Sequence, residues 1–354
     1  MVFDLLKVFL PSITAFWLGI VMTPVLTYYL YRYKAWKKKA GKIALDGTEA
    51  QEFAKLREET ETKTPRMGGI IIWASVAATT GVMWALAHVW PDTGAAKFDF
   101  LSRTQTWIPL TTLLLGGLVG LVNDILDVTS ESGERGIRLS ARLVFVSLLA
   151  LFIGWWFYDK LDVTALGIPF NGEWEIGWLI IPFFILVSVS LYASGVIDGI
   201  DGLSGGVFAS IFTAYAFIAY NQQQIDLAAF CATVVGALLA FLWFNVPPAR
   251  FWMTETGSMG LTITIAAVAF MTDTLGGGKG VLILPIVAFL LVATVLSNIL
   301  QMFWKQFFGK KLFRIAPLHH HFEAIGWPGY KVTMRYWILS IIFAILGVSI
   351  ALAG

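Results

Sequence analysis

The sequence is poor in charge and nearly free of cysteine. Of its 354 residues only 14% are charged, whereas 57% are hydrophobic, and soluble domains of this length do not have that composition. The one cysteine, Cys231, excludes an internal disulfide framework. The net charge of +2 gives no sign of a nucleic-acid partner, because the basic residues lie beside apolar runs.

The sequence also lacks features that would divide the chain or mark a removable leader. There is no internal repeat and no low-complexity tract, and residues 1–10 contain Asp4 and Lys7 without a small-residue cleavage site. We therefore expect no removable signal peptide and a single integral membrane domain over residues 1–354.

The sequence contains many long apolar segments. A membrane-spanning helix needs about 20 predominantly apolar residues. Ten segments meet this requirement: 8–31, 68–90, 106–126, 141–158, 177–196, 203–221, 227–246, 258–275, 280–303 and 334–353. The sequence therefore predicts an all-α polytopic membrane protein with ten transmembrane helices.

The basic residues predict the orientation of these helices. Of the 25 Lys and Arg residues, five lie in the amino-terminal segment or in the segments after even-numbered spans, namely Lys7, Lys97, Arg103, Lys160 and Lys279. The others lie on the opposite side, and basic residues are retained in the cytoplasm. We expect both termini to be extracytoplasmic and the loops after spans 1, 3, 5, 7 and 9 to be cytoplasmic.

Two loops have patterns of their own. Residues 49–61, in the first cytoplasmic loop, are consistent with an interfacial helix. Residues 161–174, in an outer loop, place apolar residues around Gly167 and Pro169, which favours a small β-hairpin.

Two aspartates stand between the fifth and sixth apolar runs, in the sequence Asp-Gly-Ile-Asp-Gly at 198–202. Acids at the rim of a bilayer core are costly and are functional candidates by default. The glycines favour a tight turn with exposed amides that can approach phosphate or ribose. A polar turn between spans would explain one aspartate easily and a doubled Asp-Gly less easily, so we favour a site containing Asp198 and Asp201.

Further polar clusters lie at the predicted cytoplasmic ends of other spans. Asp124 and Asp127 stand at the end of span 3, where the helix dipole disfavours anions. Glu255 precedes a Thr-Gly-Ser helix start and is either a cap or a metal ligand. Trp252 is either an interfacial aromatic or a stacking platform for a base, and Arg142 could serve an anionic lipid or a substrate.

Three of the four histidines, His319, His320 and His321, are consecutive. Consecutive residues cannot share one helical face, and the spacing of a structural zinc site is missing. Hydrogen bonding to phosphate or sugar from an ordered loop is the better interpretation.

Together these motifs resemble the phospho-N-acetylmuramoyl-pentapeptide transferases, within the polyprenyl-phosphate N-acetylhexosamine-1-phosphate transferase superfamily. The resemblance covers nearly the whole chain. It is carried by Thr-Pro-Arg-Met-Gly-Gly at 64–69, Asp-Gly-Ile-Asp-Gly-Leu at 198–203, and Pro-Leu-His-His-His-Phe-Glu at 317–323 with Gly-Trp at 326–327 and Arg-Tyr-Trp at 335–337. The triple histidine is the specific signal.

Three motifs depart from the family pattern. Asn123 stands where the family has the first of two adjacent acids, and Gly195 stands where it has an asparagine. The family's Gly-Asp-x-Gly turn reads Thr-Glu-Thr-Gly at 254–257. These differences mark a divergent member.

The resemblance implies a reaction and a site. The family transfers phospho-MurNAc-pentapeptide from UDP-MurNAc-pentapeptide to undecaprenyl phosphate with Mg²⁺, giving lipid I and UMP at the cytoplasmic face of the bacterial inner (plasma) membrane. We expect the metal ligands Asp124, Asp198 and Glu255, which with His319, His320 and His321 form the catalytic group. The expected substrate-binding residues are Thr64, Arg66, Asn123, Arg142, Asp201, Asn245 and Trp252, of which Asp201, Asn245 and Trp252 contact uridine. A homodimer is left open.

Two rival functions remain at this point. One is a sister enzyme that transfers GlcNAc-1-phosphate to a polyprenyl phosphate, against which the His-His-His-Phe-Glu stretch argues. The other is a secondary transporter, but transporters place coupling acids near the midplane on broken helices, whereas these acids lie at the ends of spans.

Overall fold

The protein is a bundle of long helices in this computed structural model, which describes residues 2–38, 62–130 and 136–354. The described α-helices are α1 (Val2–Arg32), α2 (Ile70–Val89), α3 (Trp107–Thr129), α4 (Leu139–Lys160), α5 (Ile180–Ser194), α6 (Leu203–Asn221), α7 (Ile225–Asn245), α8 (Thr254–Met271), α9 (Leu284–Val287), α10 (Phe289–Phe308), α11 (Leu318–Ala324) and α12 (Gly329–Ala353). Short 3₁₀ turns, Gly177–Leu179 and Gly195–Ile197, flank α5. The interfacial helix predicted at 49–61 lies outside the described residues.

Eight helices in the described ranges are long and apolar enough to cross a membrane. They are α1 to α4, the segment Gly177–Ile197 that contains α5, then α6, α7 and α12. The polytopic, largely helical architecture is therefore as predicted, whereas the count of ten spans and the orientation remain predictions. Helices also occur at the other two predicted spans, and each differs from a simple lipid-facing span.

The first of these, α8, lies inside the bundle. Each of its residues except Glu255 is buried, and it packs against α3 and α5. It therefore needs less apolar surface than a helix that faces lipid. Two of its threonines are satisfied within the helix, because Thr262 and Thr264 donate to the carbonyls of Ser258 and Gly260. Helix–helix burial explains why the 258–275 span is not apolar throughout.

The second is divided. The segment predicted as 280–303 forms the short helix α9 and, after Ala288, the helix α10. The carboxyl-terminal part of α10 leaves the bundle, where Phe303, Phe307 and Phe308 are exposed. Gly309, in the left-handed conformation at φ 64°, ends the helix.

The small β-hairpin is confirmed. Strand β1 (Ala165–Ile168) pairs antiparallel with β2 (Gly172–Glu175), with Ala165 opposite Glu175. The buried carboxylate of Asp273, just after α8, accepts hydrogen bonds from the backbone N–H of Gly167 at 2.7 Å and of Val281 at 2.8 Å. The hairpin is therefore attached to the end of α8 that is remote from Glu255.

Small residues let α3 and α8 approach at backbone distance. A Cβ atom at Gly116 would lie 2.7 Å from the Cα of Gly260, and a Cβ atom at Gly120 would lie 2.1 Å from the carbonyl oxygen of Glu255. Such close contact is typical of membrane helix pairs, whose association depends on packing. It brings the carboxyl-terminal end of α3, which contains Asp124, against the first turn of α8.

Gly116→Ala is expected to lower thermal stability, because the added methyl group would collide with the backbone of Gly260. Overpacking of this kind costs about 1–3 kcal/mol. The matched control is Gly81→Ala in α2, where a Cβ atom would meet nothing within 4 Å. That change should leave stability equal or improve it by up to about 1 kcal/mol, the helix-propensity difference. Thermal unfolding of the detergent-solubilised protein measures both, and equal melting temperatures would contradict the packing argument.

Candidate active site

Asp124 is a fully buried carboxylate between α3 and α8. Its Oδ2 atom accepts hydrogen bonds from the Thr254 hydroxyl, from the Thr256 backbone N–H at 2.9 Å and from the Thr256 hydroxyl at 2.6 Å. Anions are unfavourable near the carboxyl-terminal end of α3, but the first turn of α8 offers unpaired amides and the positive end of its dipole. The packing of the two helices therefore makes the buried charge tolerable.

The other oxygen of Asp124 faces a cation. Arg66 Nη2 lies 3.4 Å from Asp124 Oδ1, and Arg66 Nη1 lies 3.1 Å from Asp127 Oδ2. The side-chain amide of Asn123 also donates to Asp124 Oδ1, at 3.4 Å. Arg66 thus provides charge compensation for the acidic pair at the end of α3.

Asn123 has a second contact that is structural. Its Oδ1 accepts a hydrogen bond from the backbone N–H of Ile137 at 2.9 Å. A Cβ atom at Gly136, whose φ is +35°, would lie 2.4 Å from the same oxygen. Asn123 therefore holds the chain that enters α4 against α3.

Thr254 joins Asp124 to Asp198. While its hydroxyl contacts Asp124, its backbone N–H donates to Asp198 Oδ2 at 2.7 Å. Asp198 Oδ1 accepts from the Ser204 hydroxyl, in the first turn of α6, at 2.7 Å. Two of the predicted metal ligands, distant in sequence, are therefore held through one residue.

The histidine segment packs against the same turn. A Cβ atom at Gly199 would lie 2.6 Å from His320 Nε2 and 2.7 Å from His319 Nε2. A side chain at this position would displace one of the two imidazoles, which explains the glycine that follows Asp198. His319 and His320, both buried in α11, thus reach the central aspartate turn.

The three histidines do not act as one group. His320 Nδ1 lies 2.7 Å from Glu323 Oε2. His321 points the other way, where its Nδ1 accepts a hydrogen bond from the backbone N–H of Arg314 at 3.2 Å. The separation follows from helical geometry, because adjacent residues point about 100° apart.

Asp201, Trp252 and Asn245 form a neighbouring group. Trp252 Nε1 donates to Asp201 Oδ1 at 3.0 Å, and the backbone N–H of Ala249 donates to Asp201 Oδ2 at 3.0 Å. Asn245 is buried, accepts from the backbone N–H of Gly202 at 2.9 Å and donates to the carbonyl of Phe251 at 2.8 Å. Asn245 therefore shapes the 198–202 turn from inside, whereas half-buried Trp252 lies nearer the surface.

Glu255 and Arg142 form an ion pair between the first turns of α8 and α4. Their side chains are 26% and 19% exposed, so ligands can still reach the pair.

Thr64 is half-buried and lies next to the 65–69 segment, whose backbone pairs with that of residues 252–253. The backbone N–H of Trp252 donates to the carbonyl of Pro65, and those of Gly68 and Gly69 donate to the carbonyls of Trp252 and Met253.

The carboxylate oxygens at this site are ligands of the type that a hard divalent cation prefers, but they do not form a complete coordination shell. Mg²⁺ commonly uses one or two carboxylates and takes its other ligands from phosphates and water. Asp124 and Asp198 converge on Thr254 and meet that requirement. In the part of the chain that the structure describes, however, no three His, Cys, Asp or Glu side chains are grouped as a metal site. Glu255 is held by Arg142 and does not complete a three-carboxylate cluster.

The predicted residues thus gather at one end of the bundle, in two adjoining groups. The structure adds contacts that sequence reasoning missed: Thr254 and Thr256 on Asp124, Ser204 on Asp198, and Glu323 on His320. The sequence contained one signal for these contacts: Thr254 replaces the first glycine of the family's turn after span 7.

Comparison with known proteins agrees with this geometry. A family model described as Glycosyl transferase family 4 matches residues 106–273, the segment from α3 to just past α8. A Phospho-N-acetylmuramoyl-pentapeptide-transferase of Geobacillus thermodenitrificans is 34% identical over 342 residues, or 95% of each chain. Proteins of the same name from Bacillus mycoides (32% over 343 residues, 95% of each chain) and Thermodesulfovibrio yellowstonii (35% over 308 residues, 80% of this chain and 78% of the relative) are also similar.

The similarity extends over nearly the full length of the chain and is not confined to the short motifs. A match over 95% of the chain spans the helices that surround the site. The chain therefore belongs to the phospho-N-acetylmuramoyl-pentapeptide transferase family.

Proposed function

We propose that this protein transfers phospho-MurNAc-pentapeptide from UDP-MurNAc-pentapeptide to undecaprenyl phosphate, forming lipid I and UMP. The observation that carries the proposal is the convergence of the aspartate turn, the α3 acids and the histidine helix at one end of the bundle, in a member of this family. A single turn, around Gly199, contacts both the histidines and the acids.

The reaction exchanges one phosphoanhydride bond for another. A phosphate oxygen of the lipid acceptor attacks the β-phosphorus of the donor, and the bond from that phosphorus to the oxygen of UMP breaks. UMP leaves with the electron pair, so no oxidant or reductant is needed. The protein must therefore hold two anionic substrates in line and offset their charge.

Cationic and hydrogen-bonding groups around the site are suited to that task. Arg66 and Arg142 pair with acids in the described structure, and each is near enough to the surface to turn toward phosphate oxygens. Guanidinium groups bind phosphate in a planar, bidentate manner. His319 and His320, which face the Gly199 turn, are proposed to bind phosphate or sugar, with Glu323 orienting His320. His321 faces Arg314 and lies outside this group.

Mg²⁺ is proposed as the cofactor, held by Asp124 and Asp198 with Glu255 as an additional ligand once Arg142 moves away. When bound, it would neutralise charge on the diphosphate and on the departing UMP. Support comes from the convergence of Asp124 and Asp198 on Thr254. Asn123 and Thr64 are proposed to line the phosphate end of the substrate path.

Uridine is proposed to bind beside Trp252. The indole would stack on uracil, and Asp201 would hydrogen-bond the base or ribose after release of its bond from Trp252 Nε1. Asn245 would support this group from the interior of the protein, because its side-chain amide oxygen and nitrogen already hydrogen-bond the backbone of Gly202 and Phe251.

The location follows from the substrates. UDP-MurNAc-pentapeptide is soluble and undecaprenyl phosphate is a lipid, so a site at the rim of a helical bundle admits both. We place the protein in the bacterial inner membrane with the site facing the cytoplasm, on the strength of the basic residues on that side.

Purified protein with undecaprenyl phosphate and UDP-MurNAc-pentapeptide is expected to form lipid-linked product and UMP, and to stop when Mg²⁺ is chelated. Asp198→Ala should abolish product formation, because it removes a proposed metal ligand. The matched control is Asp226→Ala, which removes an acid paired with Lys7 elsewhere in the bundle and should retain activity. Product from UDP-GlcNAc instead would favour the sister enzyme, and Mg²⁺-dependent activity in Asp198→Ala would refute the metal assignment.

Trp252→Ala is expected to weaken binding of UMP and of the UDP-sugar alike. Loss of base stacking costs about 1–3 kcal/mol, which is roughly a factor of five to more than a hundred in affinity. Trp252→Phe keeps a stacking ring while losing the bond to Asp201, so it should bind more tightly than the alanine variant. Calorimetric titration with UMP measures both, and unchanged nucleotide binding by Trp252→Ala would show that the indole is an interfacial aromatic.

Asn123→Asp should raise the rate at neutral pH far less than the roughly 10²–10⁴-fold of general base catalysis. The acceptor phosphate has a second pKa of about 6, so most of it is already dianionic at neutral pH and needs no base. The change would also replace the amide that donates to Asp124 Oδ1 with a second carboxylate. Initial rates measured across pH test this, and wild-type activity is expected to fall in acid. If the wild type is inactive at every pH and Asn123→Asp restores activity, a carboxylate at this position is required.

A further inference from the structure

Two residues with strained backbone conformations, Thr254 and Met67, contact each other at the centre of the site. Thr254 has φ +55° and Met67 has φ +67°, both in the left-handed region. The backbone N–H of Met67 donates to the Thr254 hydroxyl at 3.1 Å. A β-branched residue at positive φ is an outlier that persists only where its surroundings hold it. The family motif has glycine here, which would adopt this conformation without strain.

The threonine side chain supplies a contact that glycine cannot. Its hydroxyl has one proton, and its two acceptor candidates are Asp124 Oδ2 and the carbonyl of Met253, the latter at 2.8 Å. A carboxylate is the stronger acceptor, so the proton points to Asp124. Glycine could still offer its N–H to Asp198, but it would leave Asp124 without this partner.

The contact makes the two oxygens of Asp124 unequal. Oδ2 has three donors, from Thr254 and from the backbone and hydroxyl of Thr256. Oδ1 has two contacts, with Arg66 and with the Asn123 amide, each at 3.4 Å. The long contacts are the weaker ones, so Oδ1 is the oxygen that can exchange its partners for a ligand.

We propose that Thr254 is a positioning residue that fixes Asp124 and Asp198 relative to each other, so that Asp124 presents Oδ1 to a divalent cation. The proposal rests on the proposed function for the identity of that cation. Thr254 need not touch substrate or metal; it acts through the two carboxylates. Its strain is retained because a glycine would lose the hydroxyl that locks Oδ2.

The test compares three variants of the full-length protein in detergent. Thr254→Val keeps the shape and the β-branch but removes the hydroxyl. Thr254→Ser keeps the hydroxyl and removes the methyl group. Thr264→Val is the matched control, because Thr264 is a buried threonine of the same helix whose hydroxyl meets Thr112 of α3 at 3.0 Å, away from the acids.

The measurement is the rise in melting temperature on titration with MgCl₂ in the absence of substrates, which reports binding to the folded state. Thr254→Val should need about tenfold more Mg²⁺ for half of the rise, since hydrogen bonds to charged groups are among the stronger ones. Thr254→Ser and Thr264→Val should stay within about twofold of wild type, although Thr264→Val should start from a lower melting temperature through the lost hydroxyl contact. A fall in kcat of Thr254→Val without an equal rise in KM for the UDP-sugar should accompany the shift.

Three results would overturn the proposal: no Mg²⁺-induced rise in the wild type, an unchanged midpoint in Thr254→Val, or a Thr254→Ser midpoint as weak as that of valine. If Thr254→Val does not fold, Thr254→Gly takes its place, because glycine removes hydroxyl and strain together and the same weakening is expected. Mg²⁺ midpoints in the expected order, in a protein that forms no lipid-linked product, would refute the proposed reaction while leaving the positioning role intact.

Discussion

The arrangement of the site depends on the buried carboxylate of Asp124 and on the groups that compensate its charge. A charge removed from water must be compensated by hydrogen bonds or opposite charges, or it is not tolerated. Here the donors come from the first turn of α8, and they reach Asp124 because glycines let α3 and α8 approach at backbone distance. The close helix contact and the buried acid therefore depend on each other, and the site is built where the two helices meet.

The same constraint explains the arginines. Arg66 bridges Asp124 and Asp127, and Arg142 pairs with Glu255, so the charges of these three acids are already compensated by protein cations. A metal and an anionic substrate that arrive together bring both signs of charge and can replace these pairs without leaving an acid uncompensated. On the proposed function, the site would bind its ligands by exchange of partners, which is less costly than exposing bare charges.

Hydropathy predicted most of the helices because lipid requires apolar side chains and internal backbone hydrogen bonds. It was less informative where that requirement is relaxed. Helix α8 is surrounded by protein and contains threonine and glycine, and α10 is broken from α9 and leaves the bundle with exposed aromatic residues. The hairpin was predictable from the apolar residues around Gly167 and Pro169, but its attachment to Asp273 was not, since Gly167 and Asp273 are far apart in sequence.

The sequence by itself determined the membrane class, most helix positions and the chemical types at the site, because these depend on local composition and on motifs such as the Asp-Gly-Ile-Asp-Gly turn and the triple histidine. Only the tertiary structure decided the partners. It placed His319 and His320 against Gly199, separated His321 from them, and made Thr254 the link between two acids. The physical reason is that hydrogen-bond partners distant in the chain are selected by helix packing, which no local pattern encodes.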